Sequence, residues 1–230
     1  MAEEEIQTEE QTSPENFQER LTRIEQFVED NRNAVLAGGG ILVLIIVGLV
    51  YLFVKYLPDE NLKAQKAVYM AEFAFAKDSF NLALNGNFQY KGFADVANKY
   101  SWTKTGNLAN YYAGICCLNL KKYQDAVNYL EKFNTSEPII GAMRLSALGD
   151  ANSELGKMDE AIKYYEKAAD FSDNDTYTPY FLFKTGEAYE HQKKFAEARK
   201  YYEKVRDKYP ASEEAGKIDE YIARVSAGGN

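Results

Sequence analysis

Residues Ala34 to Val54 are 21 consecutive positions without a charged side chain, and a helix rising ~1.5 Å per residue needs ~20 such residues to cross a bilayer. A cleaved secretory signal has a short basic start, an apolar stretch of ~7–15 residues and a small-residue cleavage site. Here 33 mostly polar residues precede the run and Lys55-Tyr56-Leu57-Pro58-Asp59 follows it, so a retained transmembrane helix over residues 34–57 is predicted. Tyr51, Lys55 and Tyr56 suit the water interface at its exit. Ala34, Gly38, Gly39 and Gly40 at its entrance form a small-residue face on which another membrane helix can pack closely. The lipid bilayer is therefore the first expected partner. Basic residues near the two ends balance, Arg20, Arg23 and Arg32 against Lys55, Lys63 and Lys66, so the positive-inside rule leaves the orientation open.

The charge is unevenly placed. Residues 1–33 hold ten acids against three arginines, whereas the 176 residues after Val54 hold 25 acids against 24 bases. A nearly neutral domain has no basic field to gather nucleic acid, and none is expected as a partner. Residues 1–14 are too acidic and too poor in apolar side chains to bury a core, and read as a disordered tail. From residue 15 to 33, Phe17, Leu21, Ile24 and Val28 recur at helical spacing beside Phe27, predicting an amphipathic helix leading to the membrane.

Beyond the span the chain repeats itself. Gly114, Gly149 and Gly186 are spaced by 35 and 37 residues, as are Ala126, Ala161 and Ala198, each alanine 12 after its glycine. Four residues past each alanine stands Leu130, Tyr165 or Tyr202, and three further on Phe133, Ala168 or Val205. Lys121-Lys122, Gly156-Lys157 and Lys193-Lys194 mark turns, and Pro138 and Pro210 close the first and third units. This pattern resembles the tetratricopeptide repeat, a helical hairpin with a period of ~34 residues. The fold class expected is all-α, a single transmembrane helix followed by a tetratricopeptide-repeat α-solenoid. In each hairpin the glycine is expected to let the first helix approach its neighbour. The alanine marks the crossing of the two helices, and the large residue after it fills space toward the next hairpin. Three repeats occupy residues 107–211, with the extra residues of the last spacing in the loop Asp173-Asn174-Asp175-Thr176. Residues 59–106 read as a degenerate opening repeat, with one helix from Leu62 to Leu84 and another from Gly92 to Tyr100. Residues 212–226 read as a capping helix carrying Ile218, Tyr221 and Ile222 on one face.

Chemistry-bearing patterns are sparse. The one histidine, His191, falls in an expected loop beside Lys193-Lys194, with no second histidine or cysteine at metal-binding spacing. Cys116 and Cys117, adjacent on a helix, point ~100° apart and read as core residues. No phosphate loop, zinc-protease motif or nucleophilic triad is visible. No enzyme activity, cofactor, metal or small-molecule substrate is expected.

A binding role puts the site on the concave face lined by the first helix of each hairpin. The repeat register places Leu108, Tyr111, Ile115, Leu118, Met143, Ser146, Asp150, Tyr180, Phe183, Glu187 and Glu190 there. Tyr164, Tyr165 and Tyr201 read as fillers of repeat interfaces, while Tyr111, Tyr180 and Phe183 fit either role. The resemblance also brings to mind the carboxylate clamp of chaperone-binding members. Its first two positions are Tyr111 and Ile115 here, so that clamp is absent. An aromatic groove with a few acids suits an extended peptide, a partner helix or a basic segment.

The order of parts is similar to that of the YfgM-type ancillary subunits of the bacterial Sec translocon, over roughly residues 17–225. The likeness shows best in Phe27 to Gly40, with Asn31 and Ala34 before the small-residue opening, and in Phe93 to Tyr100 followed by Asn107-Leu108-Ala109. The resemblance implies an ancillary scaffold or chaperone anchored in the bacterial inner membrane, with the tail cytoplasmic and the repeats periplasmic. Its implied partners are Sec channel subunits, exported polypeptides and periplasmic chaperones. The chain departs from that family by a longer acidic tail and more regular repeats. The alternative, motivated by the repeat domain alone, is a general membrane-anchored assembly scaffold of an unrelated envelope or cytoplasmic-side complex.

Overall fold

The structure, a computed structural model, describes residues 14–171 and 173–229, so the expected disordered tail lies outside the described residues except for Pro14. Every regular element among them is helical, the only strand-like pairing being the bridge between Gly86 and Lys91. The chain divides into two units, Met1–Pro58 and Asp59–Asn230.

In the first unit, α1 (Pro14–Asp30) carries the predicted stripe of Phe17, Leu21, Ile24, Phe27 and Val28, all exposed. Asn31 ends it, its side-chain amide donating to the Phe27 carbonyl at 3.0 Å. α2 (Arg32–Tyr51) is apolar on every side, and none of its residues is buried. A helix with no polar face suits lipid or a protein core. The helical run from Arg32 reaches a mean hydropathy of 2.7 and is, by length and composition, the one candidate membrane span among the described residues. A π-helical turn, Leu52–Tyr56, closes the apolar stretch at Lys55.

The second unit begins within α3 (Leu57–Phe75), whose Ala64, Val68, Ala71 and Ala74 are buried. Then come α4 (Phe80–Asn85), α5 (Phe93–Lys99) and three hairpins: α6 (Lys104–Asn119) with α7 (Tyr123–Lys132), α8 (Pro138–Glu154) with α9 (Met158–Phe171), and α10 (Thr178–His191) with α11 (Phe195–Lys208). A 3₁₀ turn, Glu214–Lys217, leads into α12 (Ile218–Gly228), which packs on α11 through Ile218, Ile222 and Val225. The predicted single capping helix is thus a 3₁₀ turn plus an α-helix. Pro138 opens the second hairpin, at the first turn of α8 where its missing N–H is not needed.

The three turns inside the hairpins share one geometry. Lys121, Gly156 and Lys193 have φ of 59°, 75° and 61°. In each case the next residue's N–H reaches back five positions: Lys122 to Cys117 (2.8 Å), Lys157 to Asn152 (2.8 Å) and Lys194 to Tyr189 (2.9 Å). These are Schellman closures, which satisfy the last carbonyls of the first helix and reverse the chain. A fourth occurs where the sequence predicted unbroken helix from Leu62 to Leu84. Asp78 has φ 54° and the Ser79 N–H bonds the Ala74 carbonyl at 2.9 Å, splitting that stretch into α3 and α4. Five residues after each turn residue comes a fully buried alanine, Ala83, Ala126, Ala161 or Ala198. The opening unit therefore has the same turn and buried alanine as the repeats, followed by two short helices, α4 and α5.

Candidate functional site

Each alanine sits at 0% exposure where its hairpin's helices cross. The large residue four positions on packs on its own hairpin as well as toward the next unit, where Tyr202 meets the Tyr221 ring of α12 at 5.4 Å and Tyr165 clusters with Ala188. Leu130, Tyr165 and Tyr202 rest on Gly114, Gly149 and Gly186 of their own hairpins, so that a Cβ on any of these glycines would run into the side chain above it. The two tyrosines then reach past the glycine to a carboxylate on the first helix. Tyr165 Oη donates to Asp150 Oδ1 at 2.7 Å and Tyr202 Oη to Glu190 Oε2 at 2.8 Å. Both phenols are pushed far above the ordinary tyrosine range, first by burial and then by the carboxylate they bond.

Those carboxylates also bond onward to the next element. Lys184 of α10 stands 3.3 Å from Asp150. Arg224 of α12 grips Glu190 with two bonds of 2.6 and 2.8 Å, and this arginine, more than the Tyr202 hydroxyl, holds the Glu190 carboxyl below its usual range. Glu166 of α9 accepts from Tyr189 and Tyr201 at 2.8 Å each, and those two rings stack at 5.5 Å. Tyr201 therefore joins repeats, as the sequence predicted for it.

The first helices of the three hairpins border a cleft of about 630 Å³, within the size range of ligand sites. Six of the eleven projected groove residues line it: Ile115 and Leu118 from α6, Met143, Ser146 and Asp150 from α8, and Tyr180 from α10. Its walls are completed by Asn119, Lys121, Tyr123, Ala147, Glu154, Tyr177 and Phe181, which the projection missed. Three of these, Asn119, Lys121 and Tyr123, belong to the first hairpin's turn. The turn was legible in the sequence, but its tilt into the cleft depends on how α6 meets α8. The neighbouring Glu154 carboxylate raises the Tyr123 phenol.

The other projected residues lie elsewhere. Tyr111 packs on Phe133 at 5.4 Å and Tyr112 at 5.6 Å, and Leu108 is half-buried on the same helix. Phe183 meets the Tyr221 ring of α12 edge-on at 4.8 Å. Glu187 borders a smaller cavity of about 160 Å³ with Tyr165, Lys184 and His191, and desolvation raises its carboxyl. Glu190 is committed to Arg224 and Tyr202. Of the three aromatics that fitted either role, Tyr180 alone lines the cleft, at 38% exposure. His191 is the last residue of α10 rather than part of a loop. Cys116 and Cys117 are free and buried in α6. No group of three or more potential metal ligands occurs among the described residues. In the first unit, Ala34, Gly38, Gly39 and Gly40 lie on α2, and a Cβ on any of the three glycines would meet open space.

Three antiparallel hairpins stacked in sequence, glycine beneath a large residue and alanine at the crossing, define an α-solenoid of the helical-repeat class. The profile of the Tetratricopeptide repeat family matches residues 141–211, nearly all of the second and third hairpins. A comparison with curated proteins gave no match. Solenoids of this class present extended surfaces for binding other proteins.

Proposed function

We propose that this protein is a membrane-tethered binding protein whose cleft between α6, α8 and α10 takes a segment of another polypeptide. The observation that carries the reading is the cleft itself. Ile115, Leu118, Met143, Ala147, Tyr180 and Phe181 supply apolar wall, and Glu154 supplies an acidic group to the lining, Asp150 being engaged by Tyr165 and Lys184. An apolar segment carrying a basic residue fits that surface. The uncharged run Ala34–Val54 supplies the tether, and the small-residue face of Ala34, Gly38, Gly39 and Gly40 the packing surface for a partner's membrane helix. With the resemblance to the Sec-associated family, this supports an ancillary export factor. Its repeats face the periplasm and its tail the cytoplasm, and it acts as scaffold or chaperone on chains leaving the channel. The more regular repeats and longer tail favour, as a second reading, a scaffold for a different envelope or cytoplasmic-side complex.

The test is affinity purification of the tagged full chain from native membranes in mild detergent, beside a Met143→Asp, Tyr180→Ala variant. Recovery of Sec subunits or exported chains, with the exported chains lost in the variant, supports the export role and the cleft together. A reproducible complex without Sec subunits selects the general scaffold. A partner set unchanged by the variant removes the cleft from the reading. Orientation is tested separately by Ser212→Cys. It should react with an impermeant thiol reagent once the outer membrane is opened, against a low background because Cys116 and Cys117 are buried.

A further inference from the structure

Trp102 is the chain's only tryptophan and stands 54% exposed in the turn between α5 and α6. The turn is closely held. The Thr103 N–H and hydroxyl both donate to the Tyr100 carbonyl at 2.9 Å, and Thr103 Oγ1 accepts from the Gly106 N–H at 2.9 Å. Gly106 packs so tightly against the Tyr100 carbonyl that a Cβ there would have no room. An ordered turn that leaves a large amphipathic ring in water calls for something to cover it.

Its place in the chain says what. The Thr105 N–H donates to Asn61 Oδ1 at 2.9 Å, tying the turn to the beginning of α3. Asn61 follows Leu57, the predicted end of the span, by four residues, which is ~6 Å of helix. The headgroup layer of one leaflet is itself about 5–7 Å deep. Exposed lysines stand on both sides of the turn in the chain: Lys99 and Lys104 flank it, with Lys99 Nζ 5.3 Å from the Tyr100 ring centre. Lys63 is exposed on α3 and bonds Glu60 at 2.6 Å; Asp59 is the other acid there. Indole rings concentrate at the membrane–water interface, and lysines beside them meet lipid phosphates.

We propose that the Tyr100–Thr103 turn is a second membrane contact, with the Trp102 indole seated in the headgroup layer of the leaflet where the span ends and Lys99 and Lys104 on lipid phosphate. This rests on the reading of Ala34–Val54 as a membrane span.

Because Trp102 is unique, its fluorescence reads the contact directly in the unmodified full chain. The chain is reconstituted into vesicles of one part phosphatidylglycerol to three parts phosphatidylcholine, with and without acyl chains brominated near the glycerol backbone, and floated on a density gradient. The expected result is blue-shifted emission that loses most of its intensity to the brominated lipid and little to aqueous iodide. A chain that floats with the vesicles while iodide quenches Trp102 and bromine does not overturns the contact and leaves the span standing. Protection from both quenchers also overturns it, since a protein surface then covers the ring. A chain that fails to float overturns the span reading and the contact with it.

Discussion

Tyr165 and Gly149, 16 residues apart, occupy one another's space: a methyl group on Gly149 would collide with Cδ1 and Cε1 of the Tyr165 ring. The same pairing joins Tyr202 to Gly186 and Leu130 to Gly114. The glycine lets two helices close on a full-sized ring, and the ring's hydroxyl can then reach a carboxylate on the far helix. Gly149→Ala and Gly186→Ala are expected to cost ~1–3 kcal/mol each through overpacking, despite the better helix propensity of alanine. Gly114→Ala should cost less, because Leu130 can change rotamer where a tyrosine anchored at both ends cannot. Urea unfolding of the three variants in detergent checks the order.

The hairpin turns predict a gain. Lys193 holds φ 61°, a conformation that costs a residue with a Cβ ~1–2 kcal/mol. Lys193→Gly should raise stability by about 1 kcal/mol, and Gly156→Ala, at φ 75°, should lower it by a similar amount. Equal and opposite shifts of the unfolding midpoint are the expected result.

Acid should loosen the cap. Arg224 keeps the Glu190 carboxyl below its usual range. A depressed carboxylate stabilises the folded state above its unfolded pKa, ~4.3, and that contribution is lost as pH falls through the lower folded value. Glu190→Gln should therefore cost about 1 kcal/mol at neutral pH, the arginine being partly in water, and progressively less as pH falls below the ordinary carboxylate range. The unfolding midpoints of the two proteins should converge as pH is lowered.

Alkali acts in the other direction. Burial and the Glu166 carboxylate push Tyr189 up to about 12, and Tyr165 and Tyr202 lie higher still. Unfolded tyrosines ionise near ~10, so stability is intact below that pH and falls as pH rises above it. Ultraviolet titration of the native chain should leave these phenols un-ionised while exposed ones titrate, and Tyr202→Phe should flatten the alkaline loss of stability.

The cysteines should be inert in the native state. Burial pushes the Cys116 thiol up to about 12 and the Cys117 thiol to about 11, and the thiolate is the reactive form. Neither should react with iodoacetamide at neutral pH until denaturant is added; fast labelling of the folded chain would contradict their placement.

Much of this architecture could be read from residue order. A 21-residue uncharged run, glycine and alanine recurring with one spacing, and basic or glycine turn pairs are local signals. Each acts through backbone conformation or side-chain size within a few residues. They mark the long apolar helix, the three hairpins and their turns. The opening hairpin's turn escaped because Lys77-Asp78-Ser79 carries neither a glycine nor a basic pair, and Asp78 takes the left-handed conformation without either signal.

The site was legible only in outline. A repeat register says which side of a helix a residue occupies, and six of the eleven projected positions line the cleft on that basis. It cannot say which neighbour covers that side. Tyr111, Tyr180 and Phe183 were indistinguishable in the sequence. The structure covers Tyr111 with Phe133 and Phe183 with Tyr221, and leaves Tyr180 open. Likewise Asp150 and Glu190 read as groove acids until the packing of successive helices brings Tyr165 and Lys184 to one, Tyr202 and Arg224 to the other. Sequence by itself determined the helices, the turns and the period, because these follow from local conformational preference. Tertiary structure alone decided which side chains remain for a partner, because exposure is settled by residues distant in the chain that arrive from the next helix.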